Sequence, residues 1–85
     1  MNESEFKTAL EELGGTENYP GFYSAVFNSA TIIVVATKYN TYVVMSMDPN
    51  YDEDLQISNE SSLDDVMEIL YDYAGRDEDG YSYDE

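Results

Sequence analysis

The segment Thr31–Thr37 (TIIVVAT) restricts what this chain can fold into more than any other part of it. Four of its residues in a row, Ile32-Ile33-Val34-Val35, are β-branched. Such side chains are stiff at χ1 and suit a pleated surface better than a helix. A continuous apolar run of this length reads as a central strand buried on both faces. Strand-like runs flank it on either side, Phe22–Asn28 and Thr41–Met47. The connections, around Asn28-Ser29-Ala30 and Lys38-Tyr39-Asn40, are short. A parallel pair needs a long crossover, so these neighbours are antiparallel and form a β-meander.

A helix is expected on each side of the meander. Phe6, Ala9, Leu10 and Leu13 fall at i, i+3, i+4 and i+7, one apolar stripe of a helix over residues 3–13. Glu3 and Glu5 suit its positive N-terminal end, and Gly14 is placed as the C′ residue that ends it. Thr16–Gly21 reads as a loop with Pro20-Gly21 as its turn. After the meander, Asp48–Asp54 reads as an acidic loop and Leu55-Gln56-Ile57 as a short edge strand. Ser61 or Ser62 is placed to cap a second helix, with Asp64 or Asp65 as the reciprocal partner. Leu63, Val66, Met67, Leu70, Tyr71 and Ala74 form its apolar face, and Gly75 is the expected C′ residue. The fold class is therefore α+β, in the order α-β-β-β-(β)-α, with an antiparallel β-meander packed against helices. One domain spans residues 1–75, and residues 76–85 form an acidic, flexible tail bearing Tyr81 and Tyr83.

Charge is the second constraint. Among 85 residues, 19 acids face three bases, a formal net charge of −16. The imbalance is concentrated: residues 1–47 carry net −3 and residues 48–85 carry net −13. Nucleic-acid affinity rests on Lys and Arg neutralising phosphates, so direct binding to nucleic acid is not expected, and anionic lipid is repelled for the same reason. The acidic N-terminal segment lacks the pattern of a signal peptide. The longest apolar stretch, Ile32–Ala36, is too short to span a bilayer. With no cysteine to oxidise, the chain suits a reducing cytoplasm.

Chemistry is sparse. There is no His or Cys, so the common activated-nucleophile arrangements are absent, and no Gly-rich loop with a Lys offers a phosphate cradle. The chain reads as a non-enzyme without a cofactor. Asp48-x-Asn50-x-Asp52 copies the first three liganding positions of an EF-hand loop, but Glu53 stands where Gly is required and Asn59 where the bidentate Glu is required. Asp77-x-Asp79-Gly80 is a similar fragment. No metal site is expected.

The most informative pattern lies on the second helix. Asp64, Glu68 and Asp72 recur at i, i+4 and i+8 with no Lys or Arg between them. Like charges at this spacing destabilise a helix by a few tenths of a kcal/mol per pair. A rise of about 1.5 Å per residue puts successive carboxylates roughly 6 Å apart, comparable to neighbouring phosphates on a nucleic-acid strand. Solubility alone calls for a net charge of only about 2–8 in a small domain. Asp65, the loop acids Asp52, Glu53 and Asp54, and the tail acids Asp77, Glu78 and Asp79 extend the same field. Tyr19, Tyr39, Tyr51, Tyr81 and Tyr83 fall in loops or the tail, where Tyr stacks on Arg guanidinium planes. Tyr23, Tyr42, Tyr71 and Tyr73 read as filling strand and helix faces.

In this combination the chain resembles the small acidic DNA-mimic inhibitors of bacteriophages, which include anti-CRISPR proteins, anti-restriction proteins and inhibitors of uracil-DNA glycosylase. The resemblance covers composition and element order over the whole chain and rests on no shared motif. It implies an inhibitor that works in the cytoplasm of a bacterial host. Its target would be the basic, Arg- and Lys-rich nucleic-acid groove of a nuclease or other DNA-binding protein. The implied contact residues are Asp52, Glu53, Asp54, Asp64, Asp65, Glu68, Asp72, Asp77, Glu78, Asp79 and Tyr81. The same charge logic also fits an immunity or adaptor protein that binds a basic surface without imitating DNA. Apolar residues on both strand faces, with only two short helices to cover them, fit a homodimer as well.

Overall fold

The computed structural model describes residues 1–27, 29–50 and 52–79, with the side chains of residues 52, 53 and 76–79 left aside. Its elements are α1 (Glu3–Glu12), β1 (Thr16–Tyr19), β2 (Phe22–Phe27), β3 (Ala30–Ala36), β4 (Tyr42–Asp48), β5 (Asp52–Glu60) and α2 (Leu63–Asp79). The strands form one sheet in the order β1-β2-β3-β4-β5, every neighbouring pair antiparallel. The expected α+β meander is present, enlarged from three or four strands to five.

Local chemistry explains most of the boundaries. Asn2 caps α1 through a reciprocal box: its side chain accepts from Glu5 N at 2.8 Å, and Glu5 Oε1 accepts from Asn2 N at 2.9 Å. At the other end Gly14 takes φ +92°, as expected for C′. Gly15 N donates to Leu10 O and Gly14 N to Glu11 O, the two bonds of a Schellman motif. Gly21 takes φ +79° after Pro20, the sign required at i+2 of a type II turn. Ser62 Oγ accepts from Asp65 N at 3.2 Å and so caps α2.

Four expectations are corrected. Thr16–Gly21 is not all loop, because Thr16–Tyr19 pairs with β2. Its polar sequence lacks the strand alternation, and the strand is held from outside: Asn18 Nδ2 donates to Ser24 Oγ, and Lys7 pairs with Glu17 at 3.2 Å. Asp52, Glu53 and Asp54 lie in a strand, not a loop. Acids have low β-propensity; β4 pairs with Gln56 to Glu60 and again at Asp52, with a register shift in between that spans Glu53 and Asp54. Gly75 does not end α2. It is buried and carries no positive φ, and the helix runs on to Asp79. A glycine inside a helix costs about 1 kcal/mol relative to alanine, and tertiary packing overrides that preference here. Asp77, Glu78 and Asp79 therefore extend the helix, while the remaining expected tail, with Tyr81 and Tyr83, lies outside the described residues, as does Tyr51.

The fourth correction concerns β3. Both helices pack on one side of the sheet. Phe6 and Leu10 of α1 and Leu63, Val66, Met67 and Leu70 of α2 share a core with Tyr23, Ala25, Phe27, Ala30, Ile32, Val34 and Val44. Phe6 meets Tyr23 edge-on, with ring centroids 4.9 Å apart. The alternate residues point the other way, where no element of the described chain covers them. This open face carries Thr16, Tyr19, Phe22, Ser24, Val26, Thr31, Ile33, Val35, Val43, Met45, Met47, Leu55, Ile57 and Asn59. A continuous β-branched run cannot by itself distinguish two covered faces from one.

Candidate functional acidic face

The acidic stripe exists as a surface because α2 is amphipathic. Its apolar residues point at the sheet, and at about 100° per residue Asp64, Asp65, Glu68 and Asp72 centre on the opposite side. All four are exposed. Among the described side chains and the N-terminus, the one cation beside them is the Met1 ammonium, 3.4 Å from Asp64 Oδ2. An exposed pair of this kind contributes about 0–1 kcal/mol, and no other described side chain brings a cation to Glu68 or Asp72. Lys7 is engaged by Glu17, and the Lys38 ammonium lies 5.4 Å from the centroid of the Tyr39 ring. Tertiary structure thus brings neither lysine to the stripe.

The other predicted acids join at one end. Tyr73 Oη donates to Ser46 Oγ at 3.1 Å, and Ser46 pairs with Gln56 across the β4–β5 ladder. The later turns of α2 therefore return to the part of β5 that begins with Asp52, Glu53 and Asp54. Asp64 lies one helix-length away, beyond the other end of β5. Asp54 is exposed on this edge strand. Asp77, Glu78 and Asp79 continue the helix on the same end, and Tyr81 lies outside the described residues. Among the described side chains, the acids form a band along α2 from Asp64 to Asp72, with Asp54 exposed on β5.

The aromatic residues divide differently from the expectation. Tyr19 is 71% exposed, but it stands beside Phe22 on the open sheet face, with centroids 6.3 Å apart. Tyr39 sits at the β3–β4 turn, where Asn40 takes φ +62° and Thr37 Oγ1 accepts from Tyr39 N. Tyr71 does not fill the core; it is 46% exposed. It follows Glu68 by three residues and so borders the stripe. The signal was in the sequence, since Tyr71 lies about 80° from Leu63 around the helix, at the margin of the apolar arc. Ile69 and Tyr73 complete the buried side instead.

The Asp48-x-Asn50 spacing serves a turn. Asp48 is buried, and its Oδ1 accepts from Asn50 N at 3.1 Å, closing the β4–β5 connection. Among the described residues no three His, Cys, Asp or Glu side chains are grouped to hold a metal ion. No helix among them is long and apolar enough to cross a membrane. Comparison with family models, with curated proteins and with solved structures finds no match to this chain.

Proposed function

We propose that this protein is an acidic inhibitor that imitates DNA and blocks the nucleic-acid groove of a nuclease or other DNA-binding enzyme of a bacterial host, in the manner of anti-CRISPR and anti-restriction proteins. The observation that carries the reading is the run of exposed carboxylates at Asp64, Glu68 and Asp72, one per turn, with no lysine or arginine paired to them among the described side chains, which do not include that of Arg76. A repeat of roughly 6 Å matches the charge spacing of a phosphate strand, and a groove lined by Arg and Lys attracts both. Held on a helix that is fixed to a sheet, the carboxylates are ordered before binding, which lowers the entropic cost of association. A chain of net charge −16 also speeds encounter with a basic partner through long-range steering.

The test is capture from a bacterial lysate on the immobilised protein, beside the triple variant Asp64→Lys, Glu68→Lys, Asp72→Lys. The reading expects nucleases or other DNA-binding enzymes to be held by the parent protein only, released by duplex DNA, and released by raising salt from about 50 to 500 mM. Partners that resist displacement by DNA would instead identify an immunity or adaptor protein that binds a basic surface elsewhere. Retention unaffected by the triple variant would remove the acidic face from the argument.

A further inference from the structure

We infer that the open face of the sheet is the contact between two copies of this chain, packed face to face around a two-fold axis. The inference is independent of the partner proposed for the acidic face.

Its first support is the chemistry of the face. Cross-strand partners line up in rows, one of them Ser24-Ile33-Met45-Ile57. Val26 is 63% exposed, Ile57 61% and Leu55 52%. In a chain of net charge −16, every residue that the strand register places on this face is uncharged. Apolar residues exposed together mark a contact surface. Rows of uncharged residues call for no complementary charge, and a second copy presents the same flat apolar rows under a two-fold axis.

The second support is electrostatic. Two chains of this charge repel, so self-association is favoured only where it keeps the acids apart. The helices and their acidic stripe lie on the opposite side of the sheet. Layers stack at about 10 Å, so a face-to-face dimer holds its two stripes roughly 30 Å apart. That is several times the screening length of about 8 Å at physiological salt. The arrangement leaves both stripes exposed for a partner.

The third support is area. Four strand spacings of about 4.8 Å by some six residues at about 3.3 Å give a flat footprint on the order of 400 Å², and side-chain relief enlarges it. A standard interface takes about 800 Å² from each partner, so the face suits a small, concentration-dependent dimer.

Analytical ultracentrifugation of the full chain, at about 0.2 mM and in roughly 0.3 M salt to screen repulsion, tests this. The expected result is a mass approaching twice 9.7 kDa that falls on dilution. Val26→Lys and Ile57→Lys, separately, should each weaken association on the order of tenfold or more, with circular dichroism unchanged. Val26 lies beyond the part of β2 that pairs with β1, and Ile57 lies on the edge strand β5, so Ile33→Lys on β3, which is paired on both sides, separates face packing from edge-to-edge pairing. A second measurement needs no variant: the methyl signals of Val26, Ile33 and Ile57 in the parent protein should be shielded from a soluble paramagnetic probe. A monomer at this concentration with those methyls open to the probe overturns the inference. So does a dimer that survives Ile33→Lys or leaves the methyls unshielded.

Discussion

Tyr73 Oη donates to Ser46 Oγ at 3.1 Å, and this hydrogen bond ties the later turns of α2 to β4, 27 residues earlier in the chain. Ser46 is buried on the helix side of the sheet, and its backbone pairs with β5. The contact therefore fixes where the acidic helix passes relative to the acids that open β5. Replacing Tyr73 by Phe keeps the ring and removes the donor. The expected cost is about 1 kcal/mol in urea denaturation, typical of one net hydrogen bond. Ser46→Ala should cost a similar amount, and the double variant less than the sum of the two.

Stability and binding should respond in opposite directions at Glu68. It follows Asp64 by four residues and precedes Asp72 by four, and all three are exposed. Glu68→Lys turns two repulsive pairs into two attractive ones. The variant should gain about 0.5–1 kcal/mol of stability by denaturant titration while losing affinity for the partner captured by the parent protein. A stripe kept only for solubility would show the gain without the loss.

Gly15 holds a different kind of constraint. A Cβ there would stand 2.5 Å from Leu10 Cδ1 and 2.9 Å from the backbone oxygen of Ser24. Leu10 is buried in the core and Ser24 O belongs to β2, so neither has room to give way. Gly15→Ala should destabilise by about 1–3 kcal/mol, the usual range for overpacking. Gly14 has open space around the same position but a φ of +92°, so alanine there is strained by the backbone alone.

Alkaline unfolding should report on Tyr23. Burial raises its phenol above the ordinary value of 10.0, and the nearby Glu17, Glu3 and Tyr42 add to the shift. The folded chain thus keeps a proton that the unfolded chain releases at lower pH. The stability tied to the neutral phenol is complete below pH 10 and is lost as pH rises through the folded-state value. Denaturant titrations from about pH 8 upward should show this decline beginning near pH 10, with a shallower slope in Tyr23→Phe.

The α1 cap gives a further check. Asn2 and Glu5 satisfy each other's backbone N–H groups, and α1 contributes Phe6 and Leu10 to the core. Asn2→Ala should cost about 1 kcal/mol, and Glu5→Gln should retain most of the stability because the amide oxygen still accepts.

The sequence by itself determined the class of fold and the position of its charge. A β-branched run between short turns has few solutions other than an antiparallel meander, and Gly14, Gly21 and Ser62 act through φ preferences and hydrogen bonds that span only a few residues. The period of Asp64, Glu68 and Asp72 likewise follows from helix geometry. Tertiary structure decided what depends on partners distant in the chain. β1 is a strand because β2 offers it hydrogen bonds, and β5 reaches back to Asp52 because Asp48 of β4 pairs with it, both against local propensity. α2 passes through Gly75 because its neighbours pack on the sheet. Apolar residues alternate to both sides of the strands, so only the placement of the two helices could show which side they cover. They take the side of Ile32 and Val34 and leave Val26, Ile33 and Ile57 facing away from every acid on α2.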